Sequence, residues 1–349
     1  VIMAEHESER PGLEQVITLP RLSQLPWPGQ IHPETDSLID HTSQWALATG
    51  LADEDAVMRL RRGGIMHAGP RLAPRAPVSA ARLVCDWTAW LIVIDDAFDD
   101  EGSDLGRNPD LARAAIEDVI SSFRGQKPVR AASSPAHIRG ISASAADLGS
   151  RFRELSPSPD WLPRFLRHAE AHIWSKVSEA EHRAADTFLD VAAYVSLRRV
   201  TSAAYTYTYL AEMAAQAVIP GDVRASQAWE QMLDAAADVW LAIQDICSAA
   251  KEVSAGDARL NLAPVMARCA GTSLQQGVDD AYQWAIRRSA DLAEQREQVE
   301  ALTRRLGPGH IAKADMMRYL DALGLLLGGH RDWNFIDNPR YSQVISSST

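Results

Sequence analysis

The stretch Trp87-Thr-Ala-Trp-Leu-Ile-Val-Ile-Asp-Asp-Ala-Phe-Asp-Asp-Glu-Gly102 decides how the rest of the chain is read. An apolar helical run ends in five carboxylates, Asp95, Asp96, Asp99, Asp100 and Glu101, and Gly102 is placed to stop the helix. A helix C-terminus already carries partial negative charge, so each added carboxylate there is unfavourable by roughly several tenths of a kcal/mol. An acidic run is ordinarily a solvated helix end. This one directly follows Leu91-Ile-Val-Ile94, which reads as buried, and carboxylates at the rim of an apolar wall need a cation. Asp95 and Asp99 are i and i+4 and share a helix face. Two such oxygens suit Mg²⁺, which binds through one or two carboxylates plus substrate phosphates.

The surrounding composition agrees with a helical protein. The chain has 349 residues, enough for one large domain or two ordinary ones, and is 46% hydrophobic, rich in alanine and poor in β-branched runs. Net charge is −11 and no Lys/Arg block stands out, which argues against nucleic acid as a partner. Cys85, Cys247 and Cys269 are an odd, scattered set without CxxC, so neither a disulfide framework nor a zinc site is expected, and a cytoplasmic setting fits. No apolar run reaches ~18 residues, so no membrane span is expected. Residues 1–12 are polar and acidic, unlike a secretory signal.

In chain order, residues 1–35 read as an irregular, Pro-rich strap, with the first dozen expected to be mobile. Helical patterns follow near 37–49, 54–67, 79–101, 109–124, 137–155, 160–183, 186–217, 227–253, 272–305 and 309–328, with Gln126–Ala136 as the clearest loop. Residues 342–349 read as a frayed tail. No Gly-rich phosphate loop, strand alternation or repeat appears. The expected architecture is all-α: one bundle-like domain over 36–341.

A second constellation lies in Trp240-Leu-Ala-Ile-Gln-Asp-Ile-Cys-Ser-Ala-Ala-Lys-Glu252. Gln244, Ser248 and Glu252 stand at i, i+4 and i+8, so three oxygen ligands share a face, with Trp240 one turn earlier. A polar row is commonly a surface face, but Leu241, Ile243 and Ile246 do not belong to an exposed helix. Asp245 points ~100° away from the row and is a poor ligand.

These two segments resemble the metal motifs of class I terpene synthases, most closely the bacterial terpene cyclases. Asp95-Asp96-Ala-Phe-Asp99 is similar to the family's Asp-Asp-x-x-Asp, and Gln244…Ser248…Glu252 to its Asn/Asp-Ser-Glu triad at two of three ligands. Arg198 stands 46 residues before Gln244, where the family carries its diphosphate sensor; Thr201 and Ser202 then take the linker and effector-carbonyl positions. Trp333 and Arg340-Tyr341 look like the family's C-terminal positions, and Ala255–Leu262 and Pro26…His32-Pro33…Trp45 also resemble it, so the likeness spans the chain.

The resemblance implies a helical bundle around an apolar cavity. It implies an acyclic prenyl diphosphate as the small-molecule substrate, and Mg²⁺, three ions in number, held by Asp95, Asp99, Gln244, Ser248 and Glu252, with Asp96 less well placed. Arg198, Lys251, Arg340 and Tyr341 would donate to the diphosphate, arginine because its planar fork suits phosphate. Trp87, Leu91, Ile92, Phe98, Trp240 and Trp333 are the expected cavity residues. Ionisation and cyclisation would yield a terpene hydrocarbon or alcohol, with farnesyl diphosphate favoured over geranylgeranyl diphosphate and a homodimer allowed. Gln244 departs from the pattern: it reaches one carbon–carbon bond, about 1.5 Å, further than Asn. The alternatives are a chain-elongating prenyltransferase, which would need a second aspartate-rich motif that this chain lacks, and a helical relative or scaffold without activity.

Overall fold

The computed structural model describes residues 17–21, 24–99, 104–106, 108–127, 135–185, 188–254, 256, 258–305 and 310–342. Helix follows helix through them, and no strand occurs among the described residues. In order these are α1 (Thr35–Thr49), α2 (Glu54–Arg62), α3 (Ala68–Leu72), α4 (Val78–Asp99), α5 (Pro109–Phe123), α6 (Ala136–Glu154), α7 (Trp161–Ala185), α8 (Val191–Thr201), α9 (Ala204–Ala214), α10 (Gly221–Arg224), α11 (Gln227–Ser254), α12 (Leu262–Ala270), α13 (Leu274–Arg305), α14 (His310–Asp332) and α15 (Pro339–Ser342). Their starts follow ordinary capping chemistry: Asp53, Asn108, Asp190 and Asn261 each accept a backbone N–H of the first turn of α2, α5, α8 and α12.

Helices α4 and α11 are the organising pair because they are buried on most of their circumference. In α11, eighteen residues between Ala228 and Ala249 are buried, which is the pattern of an interior helix rather than a surface one. It packs along α13 and also against α8, α9, α12 and α14, while α4 packs against α1, α3, α6 and α9. Behind α4 lies an aromatic layer: Trp87 stacks on Trp90 at 5.3 Å and meets Phe152 and Phe165 edge-on at 5.5 Å. Trp161 stacks on Phe165 at 4.9 Å, closing the layer between α4, α5, α6 and α7.

The strap is part of this core. Ile17, Leu25 and Trp27 are buried, and Arg331 of α14 donates to the carbonyls of Leu25 (3.1 Å) and Trp27 (3.0 Å). Gly328 and Gly329 allow that docking: a Cβ at either would collide with the backbone of Pro28 or of Arg71. The first sixteen residues and residues 343–349, where mobility and fraying were expected, lie outside the described set.

Several boundaries differ from the sequence reading, among them α2, which stops at Arg62 rather than 67, and α14, which runs on to Asp332. The pattern over 186–217 is two helices, α8 and α9, parted at Ser202 and Ala203, where Ala203 takes a left-handed φ of 57°. Residues 262–270, unassigned from sequence, form α12. Helix α4 is described as far as Asp99, and the expected stop at Gly102 lies outside the described residues.

Candidate active site

The first wall is the second half of α4. Thr88, Leu91 and Asp95 lie at i, i+3 and i+7 and share one face. Tyr207 of α9 donates its hydroxyl to Thr88 Oγ1 at 3.1 Å, and burial, with the Asp95 charge adding, pushes that phenol up, so it stays protonated. Asp95 is a third exposed and faces a lysine from α7: Lys176 Nζ lies 2.9 Å from Asp95 Oδ1 and 2.7 Å from Glu179 Oε2, with its side chain 3% exposed. Asp96 is exposed, one position round the helix, and the side chain of Asp99 lies outside the described set.

The second wall is α11 from Trp240 to Glu252. Ser248 is buried and Gln244 half-buried, as expected of a polar row within an interior helix. The row is held by a residue to which the sequence analysis gave no role. Asn261 Nδ2 reaches Glu252 Oε2 at 2.8 Å, Ser248 Oγ at 3.2 Å and the Asp245 carbonyl at 2.8 Å, while its Oδ1 caps α12 through Ala263 N–H at 2.9 Å. Its fixed place at the start of α12 thus fixes two of the three presumed ligands.

Asp245 does not face the row, in line with its position on the helix, yet it is central to the site. Fully buried, it accepts from Tyr194 (2.5 Å), from the Leu262 N–H (2.9 Å), and from Arg198 Nε and Nη2 at 2.9 and 2.8 Å. Burial opposes the Arg198 charge, but Asp245, Tyr194, Glu252 and Glu179 outweigh it and push the guanidinium up, so it stays cationic. The Nη1 side of Arg198 points to Thr201 Oγ1 at 3.4 Å, joining the expected sensor to the expected linker. A sequence signal for this existed: Tyr194 and Arg198 are i and i+4, and a buried Asp245 between apolar neighbours requires donors.

The helix break carries the third part. The Ser202 carbonyl accepts Trp240 Nε1–H at 3.2 Å, which ties the break to the second wall. His172 of α7 donates Nδ1–H to the Val200 carbonyl at 3.1 Å; its imidazole is pushed down to about 3, chiefly by burial and then by Lys176, so it is neutral. Trp240 lies between Tyr207 (ring centroids 4.4 Å apart) and His330 (3.5 Å), both nearly parallel to it. Two rings that close to one centroid must cover opposite faces, so Trp240 has its edge left for a ligand rather than a π-face.

The two walls are linked at two levels. Tyr207 spans them at one level, from Thr88 of α4 to the ring of Trp240 on α11. At the motif level, Asp95 pairs with Lys176, Lys176 with Glu179, and Glu179 and Glu252 both act on Arg198. Burial pushes the Glu252 carboxyl up to about 7, with Asp245 adding and Arg198 opposing. Among the described side chains here, Asp95, Glu179, Asp245 and Glu252 bring four carboxyl groups together with the Lys176 and Arg198 cations. Among the described residues no three His, Cys, Asp or Glu side chains converge as a ready cage. The donors are instead a carboxylate from each wall with the Ser248 hydroxyl and the Gln244 amide: hard oxygens in small number, which fit Mg²⁺ completed by substrate phosphate oxygens.

Several expected residues lie elsewhere. Trp87 belongs to the aromatic layer behind α4, enclosed by Trp90, Phe123, Phe152 and Phe165. Ile92 packs against Ile39, Leu60, Ile65, Met66 and Ala89, because one residue along a helix turns it about 100° from Leu91. Phe98 is buried in the main core. Trp333 is buried and donates to the Gly64 carbonyl at 2.9 Å. Lys251 is exposed, Tyr341 is buried, and α15, which carries Tyr341 and Arg340, packs against α11; the Arg340 side chain lies outside the described set.

With this geometry in place, comparison with known proteins is informative. Residues 86–290 match the family model described as terpene synthase family 2, C-terminal metal binding, and the chain belongs to that family. It is similar to pristinol synthase of Streptomyces pristinaespiralis, 25% identical over 328 residues that cover 92% of this chain and 84% of that one. It is also similar to a (+)-T-muurolol synthase of Roseiflexus castenholzii named as cyclising (2E,6E)-farnesyl diphosphate, 27% identical over 309 residues, 88% of this chain and 90% of that one. The crystal structure of a linalool/nerolidol synthase from Streptomyces clavuligerus in complex with 2-fluorogeranyl diphosphate shares the fold, with a TM-score of 0.75 at 21% identity over 89% of this chain and 98% of that one. The protein is thus an all-α terpene synthase, a metal-binding lyase by family, and no helix among the described residues is long and apolar enough to cross a membrane.

Proposed function

We propose that this protein ionises and cyclises farnesyl diphosphate in a Mg²⁺-dependent reaction, releasing diphosphate and a sesquiterpene hydrocarbon or alcohol. What supports this reading is the run of charged side chains that joins the two motif helices: Asp95 to Lys176, Lys176 to Glu179, and Glu179 and Glu252 to Arg198. The chain length of the substrate rests on the farnesyl diphosphate named for the T-muurolol synthase relative.

Mg²⁺, three ions by resemblance, would be held by Asp95 and Asp99 on one side and by Gln244, Ser248 and Glu252 on the other; when bound it supplies the positive charge that makes diphosphate a good leaving group. Arg198 stays anchored to Asp245 by its Nε and Nη2 edge and turns its Nη1 edge to the diphosphate, with Lys251, Arg340 and Tyr341 as further donors. Thr201 senses the guanidinium, and the Ser202 carbonyl, its one lone pair taken by Trp240, offers the other to the nascent allylic cation. Leu91, Tyr207, Trp240 and their neighbours exclude water while the chain's double bonds attack in turn. His172 and His330, both pushed down to about 3, chiefly by burial, are weak proton acceptors, so the closing deprotonation or water capture does not call on them.

Incubation with Mg²⁺ and the C10, C15 and C20 prenyl diphosphates, followed by gas chromatography with mass detection, tests the proposal. A cyclic product is expected from the C15 substrate. Products from the C20 substrate alone would overturn the chain length, and none from any would overturn the reading.

A further inference from the structure

We propose that Lys176 is the resident counter-ion of the aspartate-bearing wall, holding Asp95 in the substrate-free protein so that divalent cations load together with diphosphate rather than before it. The inference rests on the functional reading above, and it assigns a positioning role to a residue of α7 that lies outside both motifs.

The geometry is specific. Lys176 is three residues before Glu179 on α7, and that i,i+3 pair by itself would give the buried ammonium a counter-ion. Instead Nζ also reaches across to Asp95 Oδ1 at 2.9 Å, on a different helix and on the first carboxylate of the aspartate-rich motif. With 3% of its side chain exposed, the lysine is poorly screened by solvent or salt. A divalent cation arriving at Asp95 meets a unit positive charge already on that carboxylate, which reduces the carboxylate's pull on it; a diphosphate, with several negative charges, is attracted by the lysine and the cations alike. Binding of the two is therefore coupled, and by linkage each raises the other's affinity by the same factor.

The test uses Mn²⁺ as probe, followed by electron paramagnetic resonance, on the substrate-free full chain with and without inorganic diphosphate. Wild type is expected to bind Mn²⁺ weakly alone and at least about tenfold more tightly with diphosphate, within the usual range of coupling. Lys176→Met should bind Mn²⁺ alone about tenfold more tightly and gain less from diphosphate, while Lys176→Arg should resemble wild type. Should the Met variant fail to fold, Lys176→Gln, which keeps a donor to Asp95 and Glu179 without the charge, carries the same comparison. A folded charge-removing variant with wild-type Mn²⁺ affinity would make Lys176 a scaffold residue and overturn the proposal. If wild type takes up neither Mn²⁺ nor diphosphate, the functional reading falls and the Lys176 role with it.

Discussion

The two walls of the site are held in opposite ways. On α11, the row itself is held by a neutral donor, the Asn261 amide that links Ser248 and Glu252, while the Arg198 charge is taken up by Asp245 on another side of the helix. On α4, Asp95 is met by a full positive charge, Lys176, near the end of the helix. Neutral amide donors orient a carboxylate and leave its charge for a cation, whereas an ammonium orients it and cancels that charge. The α11 wall is therefore preorganised, and the α4 wall is kept in check until something displaces or shares the lysine.

The largest effect is expected where the α11 network is anchored. Asp245→Asn leaves Arg198 largely buried without a carboxylate, a change that costs about 3–5 kcal/mol when one partner of a buried pair is removed. Thermal unfolding should show it, with turnover lost in parallel. If the variant melts like wild type, the α11 wall is not held as described.

Next comes Asn261→Ala, which frees Ser248 and Glu252 and removes the α12 cap. Loss of such a supporting contact typically weakens metal binding about 10–100-fold, and the cap is worth ~1 kcal/mol. A Mg²⁺ titration of turnover should shift accordingly; an unchanged titration would mean that preorganisation of this wall does not matter.

Acid should loosen the layer behind the second wall. His330 stacks on Trp240 and donates Nε2–H to its carbonyl at 3.1 Å, and burial holds its imidazole at about 3 against an ordinary 6.5. Because the folded value is depressed, the unfolded state takes up the proton first. The contribution is complete above pH ~6.5 and is lost as pH falls toward ~3, by up to about 1.4 kcal/mol per pH unit. Unfolding free energy measured against pH should fall over that window, and His330→Phe, which keeps a ring against Trp240, should lose about one proton's worth of slope.

The smallest effect is expected at Gln244, a proposed ligand that departs from the motif the chain resembles. Gln244→Asn should keep or modestly improve turnover at limiting Mg²⁺, since the shorter amide meets the same helix face with less adjustment. Complete loss would show that Gln244 has a different role.

Much of this was legible before any coordinates. Helices α4, α5, α6 and α11 begin and end within one or two residues of the periodicity reading, apart from the C-terminal end of α4, because their apolar spacing and their capping residues are local properties. The aspartate-rich run and the Gln244–Glu252 row were singled out by residue type and helical spacing, and Arg198 only through the family resemblance. Trp87 and Ile92 were misassigned to the cavity: every face of α4 is apolar, so composition does not say which face meets substrate and which meets another helix. Lys176 and Asn261 were passed over because neither belongs to a motif, and their meaning depends on what they touch.

The sequence by itself determined the helical class and the family and singled out two oxygen-bearing helix faces, since these depend on periodicity, chemistry and order along the chain. The tertiary structure alone decided that Asp95 shares its charge with Lys176, that Asn261 ties Ser248 to Glu252, and that Trp240 is covered on both faces. Those pairings join residues from nine to ninety positions apart, and which of many suitable partners meet is set by how the helices pack.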